Sequence, residues 1–229
     1  MPQLRILHLQ EKSGHVPDSR KYIVVEGPIG VGKTTLCGLL GEAWKARLVL
    51  EEVEENPFLP LFYRDRRSYA FQTQVFFLLS RFRQQQKLGQ FDLFENRVVS
   101  DYMFAKDRIF ASMNLGEHEF SLYDRIAAIL EKDVHTPDLV IYLQASMDVI
   151  LSRITKRGRP YERDMSRSYV EALVNAYNSY FFRTRDLPVL IVNTDGMDFR
   201  SRPDQLGMLM RAVEEHRGGI QTYVSRTRG

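Results

Sequence analysis

The residues with the clearest chemistry lie in one segment, Gly27-Pro28-Ile29-Gly30-Val31-Gly32-Lys33-Thr34. Its spacing fits G-x-x-x-x-G-K-[ST], which cradles nucleotide phosphates when a strand precedes it and a helix follows. The glycines let backbone N–H groups turn towards the phosphates, and the N-terminus of the following helix adds partial positive charge. We expect Lys33 to reach the β- and γ-phosphates, Thr34 to coordinate Mg²⁺, and Val31 and Thr35 to complete the nucleotide site. A tight turn alone would explain the glycines but neither Lys33 nor Thr34.

Acidic residues follow two further predicted strands. The run Glu51-Glu52-Val53-Glu54-Glu55 could be no more than a solvated loop. Its position after a strand, beside the phosphate loop, is nevertheless where a base would take the proton from an attacking hydroxyl, which makes Glu51 the candidate base. Asp101 is similarly placed to orient Mg²⁺ or to hold the acceptor, with a turn or cap residue as the alternative.

A basic segment at residues 153–163, with the sequence RITKRGRPYER, is interrupted by Gly158 and Pro160. Guanidinium groups on such a segment indicate a lid that closes on phosphates, because the planar fork of arginine stabilises the charge of a transferring phosphoryl group. The alternative is an exposed basic helix end. The candidate lid cations are Arg153, Lys156, Arg157, Arg159 and Arg163.

Five short apolar runs, each followed by polar residues, are predicted strands that would place these side chains together. They are residues 22–26, 47–50, 97–100, 139–143 and 189–192, alternating with helical patterns from Lys33 and at 71–90, 121–133 and 165–182. This order predicts a three-layer α/β fold, with a five-stranded parallel sheet flanked by helices. In such sheets ligands bind beyond the carboxyl ends of the strands, where the candidate residues fall.

The composition limits the classes of protein to consider. A length of 229 residues with 44% hydrophobic side chains predicts one domain, at residues 21–216, with an N-terminal extension at 1–20 and a C-terminal tail at 217–229. The net charge of +3 is mixed in sign along the chain and indicates no nucleic-acid surface. The single cysteine, Cys37, is expected in a buried helix and forms no intrachain disulfide. No apolar run reaches the roughly 18 residues of a membrane span, and no secretory signal is evident, so we expect a cytoplasmic protein.

Six segments together resemble the deoxynucleoside kinases, in particular the branch of bacterial deoxyadenosine and deoxyguanosine kinases. They are GPIGVGKTT, EEVEENPF, FQTQ, SDYMFAKDRIF, RGRPYE and NTDGMDF, in the order of the family and spanning residues 22–199. The resemblance implies phosphoryl transfer from Mg·ATP to the 5′-hydroxyl of a deoxyribonucleoside in nucleotide salvage, with a lean towards purines. It also implies a homodimer built through packed helices.

The same resemblance implies individual roles. Glu51 matches the general base of a Glu-Pro-Val-like motif, in which Glu52 here replaces proline. Tyr63 and Glu162 match the pair that holds the sugar 3′-hydroxyl. Gln74, with Gln72 as the fallback, matches the glutamine that reads the edge of the base. The remaining matches are Arg81 with Asp107 at the base, Phe110 stacked on it, Arg157 and Arg159 on the phosphates, and Arg153, Asp198 and Phe199 at the adenine of ATP.

One departure from the family concerns the acceptor side. The family has an acid-Arg-Ser motif after the third strand, whereas this chain has Asp101-Tyr102-Met103, and Lys106 and Arg108 in the next turn are the candidates to supply the missing charge. Two other functions stay open at this point. One is a nucleoside monophosphate kinase of the thymidylate-kinase type, which also has a phosphate loop and a basic lid. The other is a non-catalytic, kinase-like nucleotide-binding subunit.

Overall fold

The computed structural model describes residues 20–88, 97–163 and 165–224, together with the backbone of residues 5–6. Seven strands form one sheet in the order β1-β7-β6-β5-β2-β4-β3, and every neighbouring pair is parallel. The strands are β1 Arg5–Ile6, β2 Tyr22–Glu26, β3 Arg47–Val49, β4 Val98–Ser100, β5 Leu139–Gln144, β6 Val189–Asn193 and β7 Ile220–Tyr223.

Eight helices are present within these described ranges. They are α1 Lys33–Trp44, α2 Leu59–Arg64, α3 Arg66–Leu88, α4 Lys106–Asn114, α5 Glu117–Leu130, α6 Met147–Arg157, α7 Arg167–Arg183 and α8 Pro203–Glu215. Short 3₁₀ turns lie at Val53–Glu55, Glu131–Asp133 and Pro160–Glu162. None of the described helices is long and apolar enough to cross a bilayer.

Successive side chains of the central strands point to opposite faces of the sheet, and helices cover both faces, which gives three layers. In β2, Ile23 and Val25 pack with α1 and α8 on one face, whereas Val24 packs with α4 and α7 on the other. A strand covered on both faces must be apolar at consecutive positions, which is why these segments read as unbroken hydrophobic runs. Cys37 is buried in α1 within the first of these clusters, as predicted.

The predicted α/β class with a parallel sheet and flanking helices is confirmed, but the number of strands is not five. Arg5–Ile6 and Ile220–Tyr223 add two strands at one edge, so parts of the predicted extension and tail belong to the sheet. The rest of the extension before residue 20, and the tail from residue 225, lie outside the described residues. These edge strands are only two and four residues long, too short to show a clear alternating pattern.

The predicted helices are present with shifted ends. The pattern at 71–90 belongs to α3, which begins five residues earlier at Arg66 and is described as far as Leu88. The segment 121–133 divides into α5 and a 3₁₀ turn, and the segment 165–182 corresponds to α7. The parallel order brings the carboxyl ends of β2, β3 and β4 to one edge of the sheet, and this edge carries the candidate site.

Candidate active site

The phosphate loop connects β2 to α1 with positive φ angles at Gly27, Gly30 and Gly32. At Gly30, where φ is +82°, a Cβ atom would lie 2.7 Å from Ile154 Cγ1 and 2.9 Å from the Ile150 carbonyl oxygen. Only glycine suits both this conformation and this close approach. Helix α6, whose C-terminal half contains the start of the basic segment, therefore packs directly on the phosphate loop.

Lys33 lies inside the curve of the loop. Its Nζ donates to the carbonyl oxygens of Gly27, at 2.8 Å, and Pro28, at 3.2 Å. Burial lowers the pKa of Lys33 to about 8, with the charge of Lys106 acting in the same direction and nearby carboxylates opposing it. The ammonium group is thus held in place by two weak acceptors, which an incoming phosphate can replace.

Asp101 joins the start of α1 to the segment after β3. Its Oδ2 accepts a hydrogen bond of 2.5 Å from the Thr34 hydroxyl, and its Oδ1 accepts one of 2.8 Å from the Glu51 backbone N–H. The carboxylate is 5% exposed. Thr34 and Asp101, both predicted near Mg²⁺, therefore present adjacent oxygen atoms beside the phosphate loop.

Glu51 is held by two cations. One carboxylate oxygen pairs with Arg81, and the other accepts from Lys106 Nζ at 2.6 Å. Burial alone would raise the pKa of Glu51, but the charges and hydrogen bonds of Arg81 and Lys106 outweigh it and hold the pKa far below its ordinary value. Glu51 is therefore an ionised carboxylate with a fixed orientation.

The residues of α3 and α4 that were predicted to contact the nucleobase also lie close together. The guanidinium of Arg81 forms a second ion pair with Asp107, whose side chain is 1% exposed. Gln74 lies about two helical turns before Arg81 on the same face of α3, and both line the cavity, as does Phe110. The fallback residue Gln72 is exposed and does not line the cavity.

The two candidates for the missing acceptor-side charge separate clearly. Lys106 is buried against Glu51, whereas Arg108 pairs with Asp124 at 3.0 Å and Glu131 at 2.9 Å on the partly exposed outer side of α4. Tyr102, which occupies the arginine position of the family motif, is fully buried. Its ring lies 5.8 Å from the guanidinium carbon of Arg81. Of the two candidates, only Lys106 therefore lies next to Glu51.

The basic segment forms the end of α6 and the following 3₁₀ turn. Gly158 ends α6 in the left-handed conformation, with φ of +68°. Arg157 donates to Glu162 at 2.6 and 3.1 Å, and Arg159 pairs with Glu54 at 2.8 Å. The ring of Tyr161 stacks on that of Tyr63 at 5.8 Å. Both predicted phosphate-clamping arginines therefore have carboxylate partners close to the sugar-binding candidates.

The residues predicted to contact the adenine of ATP line the same cavity. Arg153 donates to the Val31 carbonyl at 2.9 Å and to both the hydroxyl and carbonyl oxygens of Thr194. The Asp198 carboxylate accepts from the backbone N–H groups of Arg200 and Ser201, which fixes the turn that carries Phe199. Arg153, Asp198 and Phe199 all line the same cavity as the phosphate loop.

Sequence reasoning missed three residues that build the site. Glu26 is fully buried at the end of β2 and accepts hydrogen bonds from the backbone N–H groups of Gly27, at 2.9 Å, and Met103, at 3.0 Å. Burial raises its pKa, although Lys106, Lys33 and these donors oppose the shift. A glutamate ending an apolar strand could have drawn attention to it. Thr194 and Glu54 gave no comparable signal, because their roles depend on contacts distant in sequence.

One cavity of about 910 Å³ contains the phosphate loop, Glu51, the α3 face and the basic segment. A phosphate loop on the central strand of a parallel sheet, with an ionised carboxylate across the same cavity from Lys33, defines the class of phosphate-loop kinases. A sequence model described as deoxynucleoside kinase matches residues 23–217, and the chain belongs to this family. The predicted family and the predicted kinase activity are thereby confirmed.

Individual relatives agree with this assignment. The chain is 37% identical over 183 residues to a deoxyguanosine kinase of Bacillus subtilis, covering 78% of this chain and 88% of that protein. It is 34% identical over 202 residues to a deoxyadenosine kinase of Dictyostelium discoideum, covering 85% and 79%. Among solved structures, deoxyadenosine kinase from M. mycoides with bound dATP superposes with a TM-score of 0.75 at 25% identity, covering 86% of this chain and 100% of that one.

Proposed function

We propose that the protein transfers the γ-phosphate of ATP to the 5′-hydroxyl of a purine deoxyribonucleoside, with Glu51 as the base. The observation that carries this proposal is that Glu51 and Lys33 line one cavity, together with the residues assigned below to the nucleoside and to ATP. The names of the relatives, which are deoxyguanosine and deoxyadenosine kinases, favour purines.

The chemistry required of Glu51 is modest. As the bond between the 5′-oxygen and the γ-phosphorus forms, the bond from that phosphorus to the β–γ bridging oxygen breaks and ADP leaves. The hydroxyl proton passes to Glu51. A carboxylate with so low a pKa is a weak base, so it mainly orients the hydroxyl and accepts the proton late, which suits a loose transition state.

The basic segment supplies the charge that must follow the phosphoryl group. Arg157 and Arg159 are proposed to bind the phosphates by exchanging Glu162 and Glu54 for phosphate oxygens. Glu162 and Glu54, the partners of these arginines in the structure, are both assigned to the side of the cavity that binds the nucleoside. Binding of ATP is thereby connected to the position of Glu162, the proposed partner of the sugar 3′-hydroxyl with Tyr63.

The donor set is suitable for Mg²⁺. The hydroxyl of Thr34 and the carboxylate of Asp101 are hard oxygen ligands beside the phosphate loop. Mg²⁺ is commonly held by one or two such groups and the phosphates, so it needs no dense carboxylate cluster, and none was found among the described residues. When bound, the ion would neutralise charge on the β- and γ-phosphates.

The nucleobase and the adenine of ATP are assigned to different residues of the cavity lining. Gln74 is 2% exposed and faces the cavity, and its amide makes no hydrogen bond within the described chain, so it is free to bind a base edge. Arg81, two turns further along α3, pairs with Asp107 behind the cavity wall, and Phe110 provides a ring for stacking. Arg153, Asp198 and Phe199 are assigned to the adenine of ATP, next to the phosphate-loop residues from Gly30 to Thr35.

A homodimer is part of the proposal. Helix α5 exposes Leu122 and Ile129, at 51% and 66%, seven residues apart and therefore on one face. Sedimentation equilibrium should show a dimer at micromolar concentration, and Leu122→Glu with Ile129→Glu should give a monomer. A monomeric wild type would refute this part. We also assign the protein to the cytoplasm, where ATP is available.

Assays of the four deoxyribonucleosides, their ribose counterparts and their 5′-monophosphates with Mg·ATP test the activity. We expect phosphorylation of deoxyadenosine or deoxyguanosine, and activity on monophosphates alone would instead identify a nucleoside monophosphate kinase. Glu51→Gln should lower kcat by about 100-fold or more with little change in ATP binding. The control is Glu52→Gln, a change at the exposed neighbouring residue. Equal turnover of both variants would remove Glu51 from its role.

A further inference from the structure

Lys106 is a buried ammonium in the wall of the catalytic cavity. It is the first residue of α4, 4% exposed, and its Nζ lies 2.6 Å from Glu51 Oε2. The ring of Phe110, one turn further along α4, has its centroid 5.8 Å from the same atom. Lysine is almost never buried without a function for its charge or a partner that holds it.

The charges around Lys106 show why Glu51 needs it. Four acids, Glu26, Glu51, Asp101 and Asp107, surround the three cations Lys33, Arg81 and Lys106. Arg81 is shared between Glu51 and Asp107, and Lys33 is directed to the carbonyl oxygens of the phosphate loop. Among the described residues, Lys106 is therefore the cation that forms an ion pair with Glu51 alone.

The ammonium group also has donors to spare. It carries three N–H bonds, and in the described part of the chain Glu51 accepts one of them. An acceptor hydroxyl bound to Glu51 would lie near the remaining donors, where partial negative charge on its oxygen grows as the proton leaves. Arg108 cannot take this place, because Asp124 and Glu131 hold it on the other side of α4.

We propose that Lys106 is a positioning residue for phosphoryl transfer, which orients the Glu51 carboxylate and supports the oxygen of the acceptor hydroxyl. The inference rests on the proposed function, since it requires Glu51 to meet a hydroxyl group. It assigns the acceptor-side cation to a lysine one helical turn after Asp101-Tyr102-Met103, where the family places an arginine inside the motif.

Three variants test the inference by steady-state kinetics with the nucleoside that the wild type prefers. Lys106→Met removes the charge and keeps the length of the side chain, Lys106→Arg keeps the charge, and Arg108→Met is the matched control on the same helix. We expect Lys106→Met to lower kcat by about 100-fold while KM for ATP changes by less than about twofold. The kcat of Lys106→Arg should be at least about tenfold higher than that of Lys106→Met. Arg108→Met should keep turnover within about twofold of the wild type.

Two results would overturn the inference. One is a fall in kcat for Lys106→Met no greater than that for Arg108→Met. The other is a loss in Lys106→Met that Lys106→Arg does not restore, which would indicate packing rather than charge. Normal ATP binding by a variant shows that its phosphate loop is intact. If Lys106→Met fails to fold, Lys106→Gln takes its place. A wild type that phosphorylates no nucleoside would defeat the proposed function itself, whereas an active wild type with an unaffected Lys106→Met defeats only this inference.

Discussion

Replacing Asp107 with Asn removes one counter-ion of a buried arginine. The side chains of Arg81 and Asp107 are 4% and 1% exposed, so the pair is largely out of contact with water. Breaking a buried pair costs about 3–5 kcal/mol. Arg81 keeps Glu51 as a second partner, so we expect a smaller loss of about 2–3 kcal/mol in the free energy of unfolding, in the range for hydrogen bonds to charged groups. For a chain of this size, that loss lowers Tm by about 4–12 °C.

Urea denaturation, followed by circular dichroism, measures this loss from the shift of the midpoint at unchanged slope. Asp124→Asn is the matched control, since Asp124 pairs with Arg108 at 3.0 Å with side chains that are 45% and 36% exposed. Such exposed pairs contribute about 0–1 kcal/mol. A loss for Asp107→Asn no larger than that for Asp124→Asn would refute the reasoning that burial, rather than the ion pair as such, determines the cost.

Three further predictions concern the nucleotide site and the lid. Gly30→Ala should abolish ATP binding measured by calorimetry, because the added Cβ would lie 2.7 Å from α6 and a φ of +82° disfavours alanine. The control is Gly38→Ala, which should bind ATP normally because no atom lies within 4 Å of the added Cβ. Burial lowers the pKa of Lys33 to about 8, and its ammonium form binds phosphate. ATP affinity without Mg²⁺ should therefore fall as the pH rises from 8 to 9.5, by up to about tenfold per unit; an affinity unchanged over that range would contradict this. Glu54→Gln should raise KM for the nucleoside by about two- to fivefold, because Glu54 pairs with Arg159 and accepts a hydrogen bond from the Tyr161 hydroxyl. The same rise in Glu55→Gln would show that these two contacts are not the cause.

The central elements were predictable because local pattern and topology agree there. Buried parallel strands must be continuously apolar, and the phosphate loop has a fixed spacing between strand and helix, so β2, the glycines and α1 follow from residues 22–44. Gln74 and Arg81 could be placed on one face of α3 by helical spacing. Their proposed roles came from the resemblance to the family, and the structure shows both side chains lining the cavity.

Other features depended on contacts that no local pattern contains. Lys106 and Arg108 are two residues apart, so helical geometry directs them to different sides, but which of them faces Glu51 depends on how α4 packs against α3. The edge strand β1 is defined by its pairing with β7, between residues more than 200 positions apart. The partners of Arg157 and Arg159 depend on the fold of the 3₁₀ turn Pro160–Glu162.

The guanidinium of Arg81 bridges Glu51 and Asp107, and this has a consequence for redesign of the pocket. An attempt to admit an unnatural nucleoside by changing Asp107 also disturbs the group that orients the carboxylate, so gains in acceptance will come with slower turnover. Phe110, whose ring contacts Tyr177 edge-on at 6.2 Å and lies 5.8 Å from Lys106 Nζ, forms no ion pair, so a change there leaves the Arg81 bridge intact and is the better starting point for such engineering.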